Sequence, residues 1–259
     1  MNKEIDINNL NPEFLNEDLQ NSIIEYKGKL YINHILCQNF HKEIEPFAET
    51  SNNACVNFQY LTTLKLYRKY LKLKDYDGVL NLLEKQKKME WFLKHYKKVY
   101  QNSGDKKFYE IFSWLLTYVD HHYPYRKKYS EIIKMGKNPR QMMSDEEKKH
   151  FLKFPNKCKI YRGVCYDSKL KQIEEKDREL LIGNSWTLDY EQACWFAKNH
   201  APKYYPNSKY KKFILSYEIN KKDIIAYFKD RNEEEVFIDF NIIDLQLIEI
   251  KNINLYNKY

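Results

Sequence analysis

Pro155 separates two kinds of sequence in this chain. Before it, apolar residues recur at helical spacing. After it, they come in short runs with period 2. A chain that changes period once, near its middle, is constrained to an α+β fold with helices and sheet segregated along the sequence. With Gly 6 and Pro 7 in 259 residues, turn residues are too few for a sandwich over the whole length. The reading is a helical N-terminal region, 1–155, and a C-terminal region, 156–259, built on a split, mixed and mostly antiparallel sheet.

In the first region, Met1 to Leu10 is polar and rich in asparagine. Asn11-Pro12 opens an expected helix over Glu13 to Ile24, with Leu15, Leu19 and Ile23 at helical spacing. Further helices are expected over Phe58 to Leu73 and Tyr76 to Tyr100, with a turn at Gln101 to Asp105. Another, Phe108 to His121, is the most apolar and is expected to be the most buried. Tyr125 to Met135 is short and stops at Gly136. Ser144-Asp145-Glu146-Glu147 reads as a capping box opening a helix to Phe154.

In the second region, Lys159 to Val164 is a short apolar strand carrying one charge, Arg162, followed by Gly163, which admits close backbone approach. Leu180 to Thr187 is an expected strand with Ser185 and Thr187 on one face, followed by a helix that Asp189 caps. Lys212 to Ile219 alternates cleanly, Lys221 to Tyr227 reads as a connection, and Ile242 to Leu255 as a long closing strand. From Glu235 to Phe240, Val236, Ile238 and Phe240 alternate with Glu235, Phe237 and Asp239. Continuing that pleat backwards puts Glu233 and Glu235 on one face and Glu234 on the other. Adjacent carboxylates repel by roughly 0.2–1 kcal/mol. A fold accepts that either in a solvated acidic run or where the carboxylates do chemistry.

An arginine strand, then a Ser-x-Thr strand and helix, then a Glu-x-Glu strand is an order that resembles the mono-ADP-ribosyltransferases of the Arg-Ser-Glu type. The resemblance spans about the last hundred residues, from Lys157 onward. Thr187 stands where the family often has serine, and the hydroxyl is kept. The resemblance implies NAD as co-substrate, no metal, and a binding site formed by Arg162, Tyr161, Gly163, Ser185, Thr187 and Glu235. It implies that Arg162 grips the NAD phosphates; read from the residues alone, Arg162 could equally form an ion pair with Asp239 or Glu235. Ser185 is implied to hold the catalytic glutamate, although a strand hydroxyl also commonly bonds backbone. Glu235 is implied to stabilise the oxocarbenium-like state in which the nicotinamide–ribose bond breaks, with Glu233 acting on the acceptor. The family pattern of a glutamate at position 233 favours protein arginine as that acceptor. The loop Lys229 to Asn232 is expected to touch the acceptor, with Tyr227 or Phe228 as an aromatic platform. An aromatic side chain within Asn199 to Tyr210 is expected to cover the nicotinamide.

Charge is uneven. Of the 44 basic side chains, 13 lie between Lys65 and Lys107, against 5 acidic ones in that stretch. Basic helices 65–107, interleaved with Tyr67, Tyr70, Tyr96 and Tyr100, would suit RNA or DNA as an alternative acceptor or partner, or are a solvated lysine-rich face. Two further alternatives are an NAD glycohydrolase and a non-enzymatic nucleic-acid-binding module. The five cysteines include no C-x-x-C pair, which argues against a disulfide framework or zinc site. His121 and His122 are adjacent at a helix end and read as structural or surface residues, not as ligands. The expected setting is cytoplasmic, or a target cell reached without a cleaved signal peptide. A toxin of this kind would need an antitoxin or immunity partner, and no membrane is implied.

Overall fold

The computed structural model describes residues 15–26, 29–36, 49–118, 125–167, 181–200, 210–229 and 233–253. Among the described residues, seven α-helices and one six-stranded antiparallel sheet make an α+β fold. The chain divides into two compact units, one of residues 1–104 with 117–119 and the other of residues 105–116 with 120–259.

The first unit opens with α1 (Glu17–Gln20), capped by the Asn16 side chain. The helix expected over Glu13 to Ile24 ends there. Ile23–Tyr26 (β1) pairs with Lys29–Ile32 (β2) as an antiparallel hairpin, because β-branched Ile23 and Ile24 suit a strand better than a helix end. The helix α2 (Glu49–Leu73) begins nine residues before Phe58. The stretch expected as one helix from Tyr76 is two, α3 (Tyr76–Leu82), capped by Asp75, and α4, which starts at Lys85. Tyr60 donates to Asp18 at 2.7 Å and the Trp91 indole to Tyr67 at 2.9 Å, so several of this unit's aromatics are anchored by their polar ends.

The α4 helix (Lys85–Tyr118) runs through the expected turn at Gln101 to Asp105. Only Gly104 leaves helical geometry, at φ 70° and ψ 172°, a conformation that glycine adopts at little cost.

The second unit contains the strands β3 (Lys157–Asp167), β4 (Ser185–Thr187), β5 (Tyr210–Asn220), β6 (Ile224–Phe228), β7 (Glu235–Ile238) and β8 (Glu249–Asn252). Their order in the sheet is β6-β7-β4-β3-β5-β8, and every pairing is antiparallel rather than mixed. Three expectations shift here. β4 is shorter than Leu180 to Thr187. The connection expected at Lys221 to Tyr227 holds β6. The closing strand is confined to Glu249–Asn252, after two single turns at Phe240–Ile242 and Leu245–Leu247.

Helices α5 (Arg126–Ile133) and α6 (Asp145–Leu152) belong to this unit. The pattern change at Pro155 therefore marks where helices give way to strands, while the unit boundary lies at Gly104. Phe112 and Tyr129 each meet Phe237 of β7 at ring-centroid distances of 6.1 Å, placing those helical residues in the core of the sheet-bearing unit. After β4, α7 (Tyr190–Trp195), capped by Asp189, continues as a π turn over Phe196–His200 and packs on β3.

Candidate functional site

The three motif strands are widely separated in sequence but adjacent in the sheet, in the order β7-β4-β3. Glu235 pairs with Thr187, and Thr187 pairs with Tyr161, so these residues form one cross-strand row. Tyr161 with Thr187 is the single register pair joining β3 to β4. The row therefore lies on the seam between two halves of the sheet, β6-β7-β4 and β3-β5-β8. Directly opposed residues in an antiparallel pair share a face at about 4.5–5.5 Å between Cβ atoms.

Glu233 and Glu235 reach this place differently from the expected pleat. The strand starts at Glu235, and Glu234 has φ 42°, in the left-handed region that side chains rarely enter. Strand alternation stops there, so it does not relate Glu233 to Glu235. What holds Glu233 is Thr187, whose hydroxyl donates to the Glu233 carbonyl at 2.8 Å and accepts from the Asp189 amide at 3.1 Å. The Leu188 amide adds a bond to the Glu234 carbonyl at 3.1 Å. Glu233 and Glu235 are half-buried, and Glu234 is exposed.

Ser185 pairs with Phe237, one step along from the Glu235 pair. The hydroxyl residue directly opposite Glu235 is therefore Thr187, with Ser185 its diagonal neighbour.

Arg162 leaves β3 on the side away from Tyr161 and Gly163. Its guanidinium donates to the Leu181 carbonyl at 3.1 Å through Nε and to the Ser185 carbonyl through Nη1. Arg126, which the sequence did not single out, donates to the Ile182 carbonyl at 3.2 Å and lies over the Phe240 ring. The Trp186 indole donates to the Gly183 carbonyl at 2.8 Å. In the buried, irregular stretch 181–184 leading into β4, the carbonyls of Leu181, Ile182 and Gly183 are thus satisfied by side chains, and that of Asn184 by the Ile238 backbone amide at 2.8 Å. Asp239, considered as a partner for Arg162, is held by the Ser130 hydroxyl at 2.7 Å, by Asn241 and by Lys134 at 3.1 Å.

Gly163 faces α7. A Cβ there would lie 2.1 Å from the Ala193 carbonyl oxygen and 2.6 Å from the Ala197 amide nitrogen. The close approach inferred at this glycine is made here by the backbone of Ala193 and Ala197. Tyr161 packs edge-on against Tyr190 at 5.4 Å.

The expected aromatic platform is not open. Tyr227 and Phe228 are only 2% and 3% exposed, because β6 is covered on both faces and Tyr227 packs on Phe154. Burial, with Glu234 and Glu147 nearby, pushes the Tyr227 phenol above its ordinary pKa. Residues 201–209 and 230–232, and with them most of the two expected substrate-touching loops, lie outside the described residues, as do His121 and His122. Among the described residues, no group of three or more His, Cys, Asp or Glu is arranged to hold a metal ion, and no helix is long and apolar enough to cross a membrane. Comparison of the chain with family models, with curated proteins and with solved structures found no match.

Proposed function

We propose that this chain is an NAD-dependent mono-ADP-ribosyltransferase. The observation that carries the proposal is the adjacency of the Arg162, Ser185-x-Thr187 and Glu233-x-Glu235 strands, with Glu235 in a cross-strand row with Thr187 and Tyr161. A catalytic carboxylate needs support that keeps it from collapsing into solvent-averaged positions. The Thr187 bonds to the Glu233 carbonyl and the Asp189 amide supply such support.

In this reading Glu235 accepts a hydrogen bond from a ribose hydroxyl of NAD. It stabilises the positive charge that grows on the ribose as the bond from C1′ to the nicotinamide nitrogen breaks. Nicotinamide leaves with the bonding electrons. An acceptor nitrogen then bonds to C1′ and gives up a proton, which Glu233 takes. The assignment of Arg162 to the NAD phosphates rests on the resemblance alone, since its side chain leaves β3 on the side opposite the Tyr161, Thr187 and Glu235 row and bonds two backbone carbonyls. Protein arginine is the favoured acceptor, since a carboxylate at Glu233 suits a guanidinium.

One observation favours a nucleic-acid acceptor as the second reading. Lys65, Lys69 and Lys72 on α2, and Lys94, Lys97 and Lys98 on α4, are all exposed. Such a polyanion contact would weaken steeply between about 50 and 200 mM salt.

Labelled NAD incubated with cell lysate, with wild type or Glu235→Gln and with or without nuclease, tests these readings. Label in protein that survives nuclease and falls about 10²–10³-fold in the variant is expected. Label removed by nuclease moves the acceptor to nucleic acid. NAD consumed without label indicates hydrolysis, and NAD left intact overturns the enzymatic reading.

A further inference from the structure

The cross-strand row of Glu235, Thr187 and Tyr161 does not end at β3. Tyr161 pairs with Ser216 of β5, and Ser216 with Glu249 of β8, so one row crosses from β7 to β8 on a single face of the sheet. Gly163, two positions after Tyr161, pairs with Ile214, and Ile214 with Lys251. Lys251 therefore stands on the same face, one row further along. Arg162, between Tyr161 and Gly163, stands on the other.

By this alternation, four lysines of β3, β5 and β8 share the face of the row. Lys157 bonds Glu218 at 2.9 Å, Lys159 bonds Glu249 at 2.7 Å, and Lys212 donates to the Lys198 carbonyl at 3.2 Å. Lys251 is exposed and forms no ion pair with a described residue. Its ammonium instead lies 5.3 Å from the centre of the Tyr190 ring. That ring is itself fixed. It packs edge-on against Tyr161 at 5.4 Å and against the buried cluster of Ala193, Cys194, Ala197 and Ile214. Since β8 is an edge strand and Tyr161 lies two strands inward, the contact draws the ammonium from the edge towards the row. An ammonium held over an aromatic face keeps its three donors for an anion and has less freedom to lose on binding one.

We infer that Lys251 is a binding residue for the diphosphate of NAD, presented by the Tyr190 ring on the face that carries Glu235. The inference rests on the transferase reading above. A face that takes the ribose at Glu235 must also meet the charge of the diphosphate, and Lys251 is the lysine of this face whose charge no described protein group answers. It assigns a role to the closing strand, which lies outside the three-strand motif.

The test uses the full chain with NAD, and ADP-ribose as a probe that keeps the diphosphate and lacks nicotinamide. Lys251→Met keeps a stem to cover Tyr190 and removes the charge. It is expected to raise the KM for NAD about ten- to a hundredfold, the worth of a hydrogen bond to a charged group, with kcat within about twofold of wild type. Calorimetry should show ADP-ribose binding weakened by the same factor, while inhibition by free nicotinamide, which has no phosphate, stays unchanged. Lys251→Arg should recover most of the loss. Lys211→Met removes a charge from the opposite face of β5 and should leave every value as in wild type. A KM and an ADP-ribose affinity equal to wild type in Lys251→Met, with wild type active, overturn the inference alone. So does an equal rise in Lys211→Met, which would make the effect one of net charge. Wild-type protein inert toward NAD overturns the transferase reading and the inference with it.

Discussion

Thr187 stands directly opposite Glu235 in the sheet, and its hydroxyl holds the carbonyl of Glu233, two residues before Glu235. One residue thus touches both positions: its backbone register places Glu235, and its side chain bonds the Glu233 backbone. Thr187→Val keeps the shape and removes the hydroxyl, leaving the Glu233 carbonyl and the Asp189 amide without that partner. A buried group so stranded costs about 1–3 kcal/mol. The denaturant midpoint of Thr187→Val should fall accordingly, and NAD turnover should fall with it. Thr187→Ser should restore most of both. Wild-type turnover in Thr187→Val would remove Thr187 from the site.

Gly163 gives a prediction about packing. Backbone atoms of α7 and of the π turn that continues it, Ala193 O and Ala197 N, fill the space its side chain would need. Backbone cannot rotate aside as a flexible side chain can. Gly163→Ala should therefore push α7 off β3 and destabilise by about 1–3 kcal/mol, the usual range for overpacking. Thermal unfolding checks this, and an unchanged melting temperature would contradict the packing.

How much of this was legible in sequence follows from the range of each interaction. The Ser144 cap, the Asp189 cap and the alternation of Phe213, Leu215, Tyr217 and Ile219 depend on neighbours within a few residues, and all three are present. Strand β6 was hidden because Ile224 to Phe228 is apolar throughout, so it shows no period. The left-handed turn at Glu234 has no glycine or asparagine to announce it. Adjacency of the arginine, Ser-x-Thr and Glu-x-Glu strands was anticipated only through resemblance. The bonds from Arg126 to Ile182 and from Glu147 to Lys229 span 56 and 82 positions, and no local pattern encodes them.

The backbone bonds of Arg162 can be separated from its proposed contact with NAD. Its guanidinium reaches two carbonyls, of Leu181 and Ser185, through different nitrogens. The compact ammonium of lysine does not reproduce that fork. Arg162→Lys should lose about 1.5–3 kcal/mol, the worth of a hydrogen bond to a charged group. Urea unfolding measures that loss, and the KM for NAD reports the proposed phosphate contact independently. A raised KM with an unchanged urea midpoint would assign Arg162 to the ligand alone.

Asp239 sets how the sheet-bearing unit should respond to acid. Burial pushes its carboxyl upward. Bonds from Ser130, Asn241 and Lys134 together outweigh that effect and hold it below its ordinary value of 3.8. A carboxyl depressed in the folded state stabilises the fold fully above the unfolded-state value and loses that contribution as pH falls through the folded one. Wild-type stability should therefore drop below about pH 4. Asp239→Asn keeps an oxygen for Ser130 but loses the charge facing Lys134, 3.1 Å away. It should be less stable than wild type at pH 7, and the difference should shrink as the pH falls below about 4. Denaturant midpoints for both proteins between about pH 2 and 7 measure this. A gap that stays constant over that range would mean that Asp239 acts by shape and hydrogen bonding without its charge.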